Sequence, residues 1–243
     1  MTDKSWMLAI PARYTSTRFP GKPLADIYGK PMIERVWTRC ARAVGADRVI
    51  VLTDHADIAA TCVQLGARVE VVTEECLTGT DRIARSVELK DLDFVVNVQG
   101  DEPLVNVEHI KQVVDLMLNS EADVVNLMTP IVDESDYLSA DIPKCVANGV
   151  GDLLYMSRAP IPATKDGAFV SADRQVCVYG FSKGALADFA EVKQKGPLEA
   201  AEDIEILRFL ELGYRVLMRR VEAAGPGIDR PSDIEKLDPG DFL

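Results

Sequence analysis

The chain has 243 residues, 47% hydrophobic and 27% charged, a composition that suits one large globular domain with a real core. With 39 acidic against 27 basic residues the net charge is −12, which argues against binding to nucleic acid or to an acidic membrane surface. No apolar run approaches the ~18 residues of a membrane span, and no signal-peptide pattern opens the sequence, so a cytoplasmic protein is expected.

Metal and disulfide chemistry based on cysteine or histidine is not indicated. The five cysteines are scattered and never form a C-x-x-C pair, and neither His55 nor His109 has a Cys or His at metal-ligand spacing. This excludes a disulfide framework, a structural zinc site and a haem attachment motif as readings of the sequence.

The first half of the chain alternates short apolar runs with amphipathic segments. The runs are rich in Val and Ile, which predicts buried strands, and the segments between them have helical periodicity. The predicted strands are Met7–Pro11, Arg48–Thr53, Ala67–Val72, Asp93–Val98 and Val124–Pro130. The predicted helices are Pro31–Val44, Ala56–Leu65, Thr80–Glu88 and Val107–Leu118. This order predicts an α/β fold with a mainly parallel sheet, whose ligands bind beyond the carboxyl ends of the strands.

The pattern of the second half predicts an antiparallel insertion. Asn148-Gly149 lies between two short apolar runs, a strong hairpin signal. The further predicted elements are a strand at 176–181, helices at 184–192 and 198–212, a strand at 214–221 and a helix at 232–237. No linker or repeat interrupts the chain, so residues 1–243 are interpreted as one domain with an excursion at about 140–200.

The loop after the first predicted strand, Pro11 to Pro23, concentrates cations. Residues 1–35 hold six Lys or Arg against three acids, a balance of +3 on an otherwise acidic protein. Arg13, Arg18 and Lys22, with hydroxyls and a glycine, suit a polyphosphate ligand. The loop is not a Walker A motif, since Pro23 follows Lys22. A solvated basic loop is the alternative, but the strand-end position favours an anion site.

Acidic residues follow two other predicted strands. Asp101 and Glu102 come directly after the strand at 93–98, with Gly100 allowing a close approach, which indicates a Mg²⁺ site. A turn with an acidic helix entry is the alternative. Asp229, in the Gly225–Pro231 loop, is either a second metal ligand or the cap of a short helix.

Two more segments are open to a functional or a structural interpretation. Thr78-Gly-Thr-Asp-Arg82 either binds a nucleotide or caps a helix. In the segment 198–208, Glu199 and Glu202 share one side of a helix by their i, i+3 spacing. Such a pair is commonly no more than a solvated acidic face.

Taken together, these segments resemble the 3-deoxy-manno-octulosonate cytidylyltransferase (CMP-KDO synthetase) family. The matching motifs run in order from about Ile10 to Glu235: IPARYTSTRFPGKPLADIYGKPMIERV, LTGTDR, VNVQGDEP, YMSRAPIP, LEAAEDIEILR and GPGIDRPSDIE. The resemblance implies a nucleotidyltransferase-type, Rossmann-like fold and a homodimer. It also implies an enzyme of lipopolysaccharide synthesis that uses Mg²⁺, couples CTP to an acidic eight-carbon sugar and releases pyrophosphate.

The same resemblance implies roles for individual residues. It places the catalytic roles at Lys22, Asp101 and Asp229, the last two as metal ligands. It places nucleotide binding at Arg13, Ser16, Arg18, Lys22, Thr78, Gly79, Thr80, Arg82 and Gln99. It places sugar binding at Arg158, Gln175, Tyr179, Glu199 and Glu202.

The sequence departs from the family pattern at three positions. Cys76 stands where the family often has His, Thr78 replaces Ser, and Gln175 replaces the His of a sugar-region motif. An uncharged amide in place of an imidazole suits a cationic sugar, so the hypothesis is a preference for 8-amino-3,8-dideoxy-manno-octulosonate over the unmodified sugar. The alternatives are another acidic sugar, such as sialic acid, and a non-catalytic nucleotide-binding regulator. The presence of both metal carboxylates argues against the regulator.

Overall fold

The computed structural model describes residues 4–16, 18–222, 225 and 227–242. Thr17 of the cationic loop and Pro226 of the Gly-Pro-Gly segment lie outside the described residues, as do the ends of the predicted 1–243 domain.

Strands and helices alternate along the first half of the chain, as predicted. The strands are β1 (Trp6–Ala12), β2 (Asp26–Ile27), β3 (Lys30–Pro31), β4 (Val49–Thr53), β5 (Arg68–Val71), β6 (Phe94–Val98), β7 (Val124–Pro130), β8 (Lys144–Ala147), β9 (Leu153–Ser157), β10 (Asp173–Ser182) and β11 (Val216–Arg220). The helices are α1 (Met32–Val44), α2 (Ala56–Gln64), α3 (Gly79–Ala84), α4 (Val107–Asn119), α5 (Glu134–Leu138), α6 (Lys183–Glu191), α7 (Pro197–Glu202), α8 (Ile206–Glu211) and α9 (Pro231–Ile234).

Within the described residues, nine strands form one sheet with the order β11-β7-β10-β6-β1-β4-β5, extended by β8 and β9 beside β10. Strands β6, β1, β4 and β5 are parallel to one another, and so are β7 and β11. Strand β10 is antiparallel to both of its neighbours in this order, β6 and β7. The predicted α/β class, with a mainly parallel sheet and an antiparallel insertion, is therefore confirmed.

The core occupies both faces of the sheet because the central strands alternate their apolar side chains between the two sides. Leu8, Ile10 and Val51 pack with α1, α2 and α4 on one face. Ala9 and Ile50 pack with α3, α6 and α8 on the other. The packed sheet thereby holds in place the loops that follow the carboxyl ends of its strands.

The predicted single helix at 198–212 is wrong, because α7 ends at Glu202 and α8 begins only at Ile206. Asp203, between them, has a left-handed backbone with φ of 51°. Neither Gly nor Pro marks this break, and the apolar spacing continues through it, so the periodicity alone predicts an uninterrupted helix. The break lets Ile206, Leu207 and Phe209 of α8 enter the core.

Other differences are smaller. Helix α3 ends at Ala84, four residues before the predicted end, and the short elements α5, β2 and β3 were not predicted. The hairpin of β8 and β9 is confirmed, although its turn runs from Asn148 to Asp152 and is organised by hydrogen bonds to Asn148 Oδ1. None of the helices in the described part of the chain has the length and apolar character needed to cross a lipid bilayer.

Candidate active site

The cationic loop and the Gln99–Pro103 segment meet at the carboxyl ends of the neighbouring strands β1 and β6. A Cβ atom at Gly100 would lie 2.7 Å from the carbonyl oxygen of Pro11, so only glycine allows the two strand ends to approach this closely. The predicted role of Gly100 is therefore confirmed.

Three residues from distant parts of the sequence meet at this edge. Lys22 Nζ lies 2.6 Å from Asp101 Oδ2 and 3.7 Å from Asp229 Oδ1. The Lys22 side chain is 13% exposed, and those of Asp101 and Asp229 are 33% and 40% exposed. Both carboxylates are thus accessible to a ligand and are held around one cation.

Hydrogen bonds of the backbone and a further ion pair hold the cationic loop in this position. The amide of Tyr14 donates to Asp54 Oδ1 at 3.0 Å, and the amide of Gly21 donates to the carbonyl of Tyr14 at 2.9 Å. Gly21 adopts a φ of 69°, which favours glycine at the end of this turn. Arg18 reaches Asp229 Oδ1 at 2.8 Å. The loop therefore closes on itself and presents its cations at the strand ends.

A first cavity of about 220 Å³ opens over this loop. Most of the residues predicted to bind nucleotide line it, together with the predicted catalytic residues. They are Arg13, Ser16, Arg18, Lys22, Thr78, Gly79, Arg82, Gln99, Asp101 and Asp229. The side chains of Arg13, Arg18 and Lys22 make this cavity suitable for the phosphates of a nucleotide.

Two of the predicted nucleotide residues are tied mainly to the protein itself. Thr80 is fully buried and does not line the cavity, and its amide donates to Glu205 Oε2 at 3.1 Å. Arg82 donates to the carbonyl of Val72 at 2.8 Å and to Asp54 Oδ2 at 2.9 Å. These contacts fix the start of α3, whose capping box joins Thr78 and Asp81, so the segment caps the helix. Thr78, Gly79 and Arg82 also line the first cavity, and their role in nucleotide binding stays a prediction.

A second cavity of about 750 Å³ adjoins the first. Arg158, Gln175 and Tyr179, three of the residues predicted to bind sugar, line it. Further cationic side chains around it are those of Arg18, Arg174, Arg230 and Lys236. Acidic side chains line it as well, among them those of Asp136, Asp141 and Asp233, so the cavity offers partners to a carboxylate and to a cationic group.

The other two residues predicted to bind sugar, Glu199 and Glu202, line neither cavity. Glu199 is fully buried and pairs with Arg208, at 2.6 Å from its Nε. Glu202 accepts hydrogen bonds from Ser157 Oγ at 2.6 Å and from the amide of Arg158 at 2.8 Å. The structure therefore places Glu199 in an internal ion cluster and Glu202 behind Arg158, where it holds the backbone of that residue. Neither forms the solvated acidic face that the spacing suggested.

The two cavities share one wall. It is formed by Arg18, Gln99, Asp101, Asp203, Glu205 and Asp229. Ligands in the two cavities would therefore meet at Asp101 and Asp229. This arrangement is suited to the transfer of a group from one ligand to the other.

Sequence reasoning missed Glu205, Asp203 and Lys195. Glu205 Oε1 accepts from Gln99 Nε2 at 2.7 Å, while its other oxygen holds the amide of Thr80. Burial raises the pKa of Glu205, although the hydrogen bond from the Thr80 amide opposes the shift. Lys195 and Asp203 form an ion pair at the first cavity. The only sequence signal for Glu205 is its place in the 198–208 motif, which was interpreted as one regular helix.

Proton-bearing groups line the second cavity next to Asp101. Burial and the neighbouring Asp101 charge raise the pKa of Glu102 to about 8. Burial also raises the pKa values of Cys177 and Tyr179. These shifts favour the neutral form of each side chain, in which it offers a hydrogen-bonding group without negative charge.

Asp101 and Asp229 fit a Mg²⁺ ion. Their oxygens are hard ligands, both residues line the first cavity, and each has an oxygen within 4 Å of Lys22 Nζ. Over the described ranges, no group of three or more His, Cys, Asp or Glu residues is placed to hold a metal ion. Magnesium commonly binds to one or two carboxylates and takes its other ligands from substrate phosphates and water, so this pair is sufficient.

Comparison with known proteins places this geometry in a family. The profile of the family described as cytidylyltransferase matches residues 7–218. A 3-deoxy-manno-octulosonate cytidylyltransferase from Geobacter metallireducens is 40% identical in an alignment 240 residues long that covers 94% of each chain. A mitochondrial protein of the same name from Arabidopsis thaliana is 38% identical in an alignment 235 residues long that covers 94% of this chain and 80% of its own.

A solved structure agrees with these relatives. CMP:2-keto-3-deoxy-manno-octonic acid synthetase, complexed with CTP, superimposes with a TM-score of 0.87 at 30% identity and covers 96% of both chains. HddC from Yersinia pseudotuberculosis, 14% identical with a TM-score of 0.71, shares the fold. The chain belongs to the cytidylyltransferase family and, within it, to the 3-deoxy-manno-octulosonate cytidylyltransferases.

Proposed function

We propose that this cytidylyltransferase couples CTP to an acidic eight-carbon sugar for lipopolysaccharide synthesis, and that the sugar is 8-amino-3,8-dideoxy-manno-octulosonate in preference to 3-deoxy-manno-octulosonate. The observation that carries the proposal is the shared wall of the two cavities, with Asp101 and Asp229 at the junction. The names of the relatives and of the CTP-bound structure support CTP and an octulosonate as the substrates, and they do not distinguish the 8-amino sugar.

In this proposal CTP occupies the first cavity and the sugar occupies the second. Arg13, Arg18 and Lys22 bind the phosphates and stabilise the charge that develops on the leaving pyrophosphate. The anomeric hydroxyl of the sugar forms a bond to the α-phosphorus, the bond from that phosphorus to the bridging oxygen breaks, and the hydroxyl proton is released to solvent. No histidine is required, because positioning and electrostatics supply the catalysis.

The proposed cofactor is Mg²⁺, held by Asp101 and Asp229. When bound, it would neutralise phosphate charge and act as a Lewis acid toward the α-phosphate. Lys22 lies between the two carboxylates and would remain close to the phosphates.

The preference for the amino sugar is supported by Gln175. An uncharged amide stands where the family pattern has a histidine, and it lines the second cavity. A protonated imidazole would repel an ammonium group, whereas an amide oxygen accepts a hydrogen bond from it. The position therefore accommodates a cationic substituent.

Release of pyrophosphate from CTP and Mg²⁺ tests the proposal. We expect release only when an octulosonate is present, with a higher kcat/KM for the 8-amino sugar. Absence of sugar-dependent release with either octulosonate would rule out the enzymatic role. A higher kcat/KM for the unmodified sugar, or turnover of sialic acid alone, would refute the proposed substrate.

We also propose that the protein is a cytoplasmic homodimer whose interface includes the antiparallel excursion. Large apolar side chains are exposed there, with Val150 71%, Leu154 60% and Val170 75% accessible. Light scattering after size-exclusion chromatography should give twice the chain mass of 26.6 kDa. The variant Val170→Lys should shift the protein toward a monomer, whereas Val63→Lys, at an exposed site on α2, should not.

A further inference from the structure

The orientation of one buried amide in the sheet is fixed by the backbone around it. Asn126, on β7, is fully buried, and its Nδ2 donates to the carbonyl oxygens of Val176 at 2.8 Å and of Val178 at 2.9 Å. A carbonyl oxygen can only accept a hydrogen bond. The nitrogen of the Asn126 amide must therefore face both carbonyls, and the reversed orientation of the amide is excluded.

The two carbonyls lie where the pairing of β10 with β7 is irregular. Its register shifts between Val176 and Tyr179, as in a β-bulge, so that Cys177 and Val178 have no partner on β7. Asn126 itself pairs with Tyr179 on the regular side of the shift. The bulge therefore dictates how the Asn126 amide lies, independently of any ligand.

The orientation of Asn126 in turn fixes that of Gln175. Asn126 Oδ1 lies 3.2 Å from the Gln175 side-chain nitrogen, Nε2. Because an amide oxygen can only accept, Gln175 must turn its nitrogen toward Asn126. One N–H of Gln175 is thereby used by Asn126, and Oε1, the acceptor of this side chain, is left for a ligand together with the second N–H. Gln175 is 8% exposed and lines the second cavity.

We propose that Asn126 is a positioning residue that keeps the acceptor oxygen of Gln175 available to the sugar. An ammonium group can only donate, whereas a hydroxyl can donate or accept. A fixed acceptor therefore improves the relative fit of an ammonium group, and the hydrogen bond formed is charge-assisted. This inference rests on the proposed function, since it assumes that the sugar occupies the second cavity.

The test measures a ratio, the kcat/KM for the 8-amino sugar divided by the kcat/KM for the unmodified sugar. A general loss of activity or stability affects both values and cancels in the ratio. The variants are Gln175→Met, which keeps the length of the side chain and removes the acceptor, Asn126→Ala, and the double variant. Asn119→Ala, at an exposed residue of α4, is the matched control.

We expect the ratio to fall about tenfold or more in Gln175→Met, the size of a lost charge-assisted hydrogen bond. Asn126→Ala should lower the ratio in the wild-type background and leave it unchanged in the Gln175→Met background, because Asn126 acts through Gln175. Asn119→Ala should keep the wild-type ratio.

An unchanged ratio in Gln175→Met overturns the inference even if Asn126→Ala does not fold. The inference is also overturned if Asn126→Ala lowers the ratio equally in the wild type and in Gln175→Met. Such a result would show that Asn126 acts on the structure and not through Gln175. Failure of the proposed function gives a different result, either a wild-type ratio below one or no CMP-sugar at all. If the wild type prefers the unmodified sugar, the change in the ratio from wild type to variant can still be measured and still tests the role of Asn126.

Discussion

Lys22 connects the two carboxylates on which the proposed chemistry depends. Its Nζ is 2.6 Å from Asp101 and 3.7 Å from Asp229, and its side chain is mostly buried. In the absence of a metal this lysine balances the carboxylate charges. Binding of Mg²⁺ and CTP would bring in both a competing cation and new anionic partners for the lysine.

Asp101→Asn should lower kcat by at least two orders of magnitude, because the amide removes the negative charge that holds the metal while the shape of the side chain is retained. The measurement is steady-state pyrophosphate release, accompanied by circular dichroism and thermal unfolding to show that the fold survives. Asp115→Asn, at an exposed residue of α4, is the control and should leave kcat unchanged. Retention of activity in Asp101→Asn would remove Asp101 from the metal site.

At the residue scale, the sequence predicts those site residues that lie in loops following the carboxyl ends of strands. Lys22 and Asp101 lie in the segments that follow β1 and β6, and parallel strands bring their carboxyl ends to one edge. Glu199 and Glu202 could not be assigned in this way. Their partners, Arg208 for one and Ser157 and Arg158 for the other, depend on a helix break that local spacing does not show.

At the scale of elements, a buried ion cluster joins α3, α7 and α8. Arg208 Nη1 lies 2.8 Å from Asp81 Oδ1, and Arg208 Nε lies 2.6 Å from Glu199 Oε2. All three side chains are at most 2% exposed. The guanidinium also lies 3.7 Å from the centre of the Phe189 ring. The cluster therefore connects the start of α3, which lines the first cavity, to α7 and α8.

Arg208→Met should lower the free energy of unfolding by about 3–5 kcal/mol, because it leaves Asp81 and Glu199 buried without their cation. Urea unfolding measures the change. The control is Arg215→Met, which removes an exposed ion pair with Asp152 and should cost about 1 kcal/mol or less. Equal effects of the two substitutions would show that the buried cluster does not stabilise the fold.

Helix α4 carries a buried histidine whose protonation should oppose folding. Burial lowers the pKa of His109, which is 3% exposed, below its ordinary value near 6.5. As the pH falls below about 6.5, the unfolded chain binds the proton more readily than the folded one, so the His109 contribution to stability decreases. At pH above 6.5 that contribution is fully present.

The free energy of unfolding should therefore fall less steeply between pH 7 and pH 5 in His109→Gln than in the wild type. Urea titrations at several pH values give both slopes. His55→Gln, at a more exposed histidine, is the comparison. Identical slopes for the wild type and His109→Gln would contradict the buried neutral state of His109.

The α/β class could be predicted from the alternation of apolar runs and amphipathic segments, because that pattern reflects burial on both faces of a parallel sheet. The break between α7 and α8 at Asp203 could not be predicted from this alternation. A non-glycine residue with positive φ there is held by tertiary contacts, including its ion pair with Lys195, and these have no local sequence signature.

At the scale of the whole molecule, the charge is divided between a cationic ligand-binding edge and an acidic body. The net charge of −12 conceals the +3 of residues 1–35, which supply Arg13, Arg18 and Lys22 to the first cavity. This division suits the capture of one small polyanion and disfavours association with large ones.

CTP with Mg²⁺ should stabilise the folded protein by about 2.7 kcal/mol at 100 times its Kd, since the ligand binds the folded state alone. Thermal unfolding with and without the ligands measures the effect as a rise in Tm. At the same ligand concentrations Lys22→Met should show a smaller rise, because a phosphate contact is lost. Lys111→Met, on the exposed face of α4, should keep the full rise, and an equal rise in Lys22→Met would argue against its phosphate contact.

The central claim concerns which acidic sugar receives the cytidylyl group, and a competition measures it most directly. The enzyme is given CTP, Mg²⁺ and equal concentrations of the 8-amino and unmodified octulosonates, and mass spectrometry determines the initial ratio of the two CMP-sugars. That ratio equals the ratio of the two kcat/KM values. We predict an excess of the CMP 8-amino sugar, whereas an excess of the CMP derivative of the unmodified sugar, or no CMP-sugar at all, would contradict the claim.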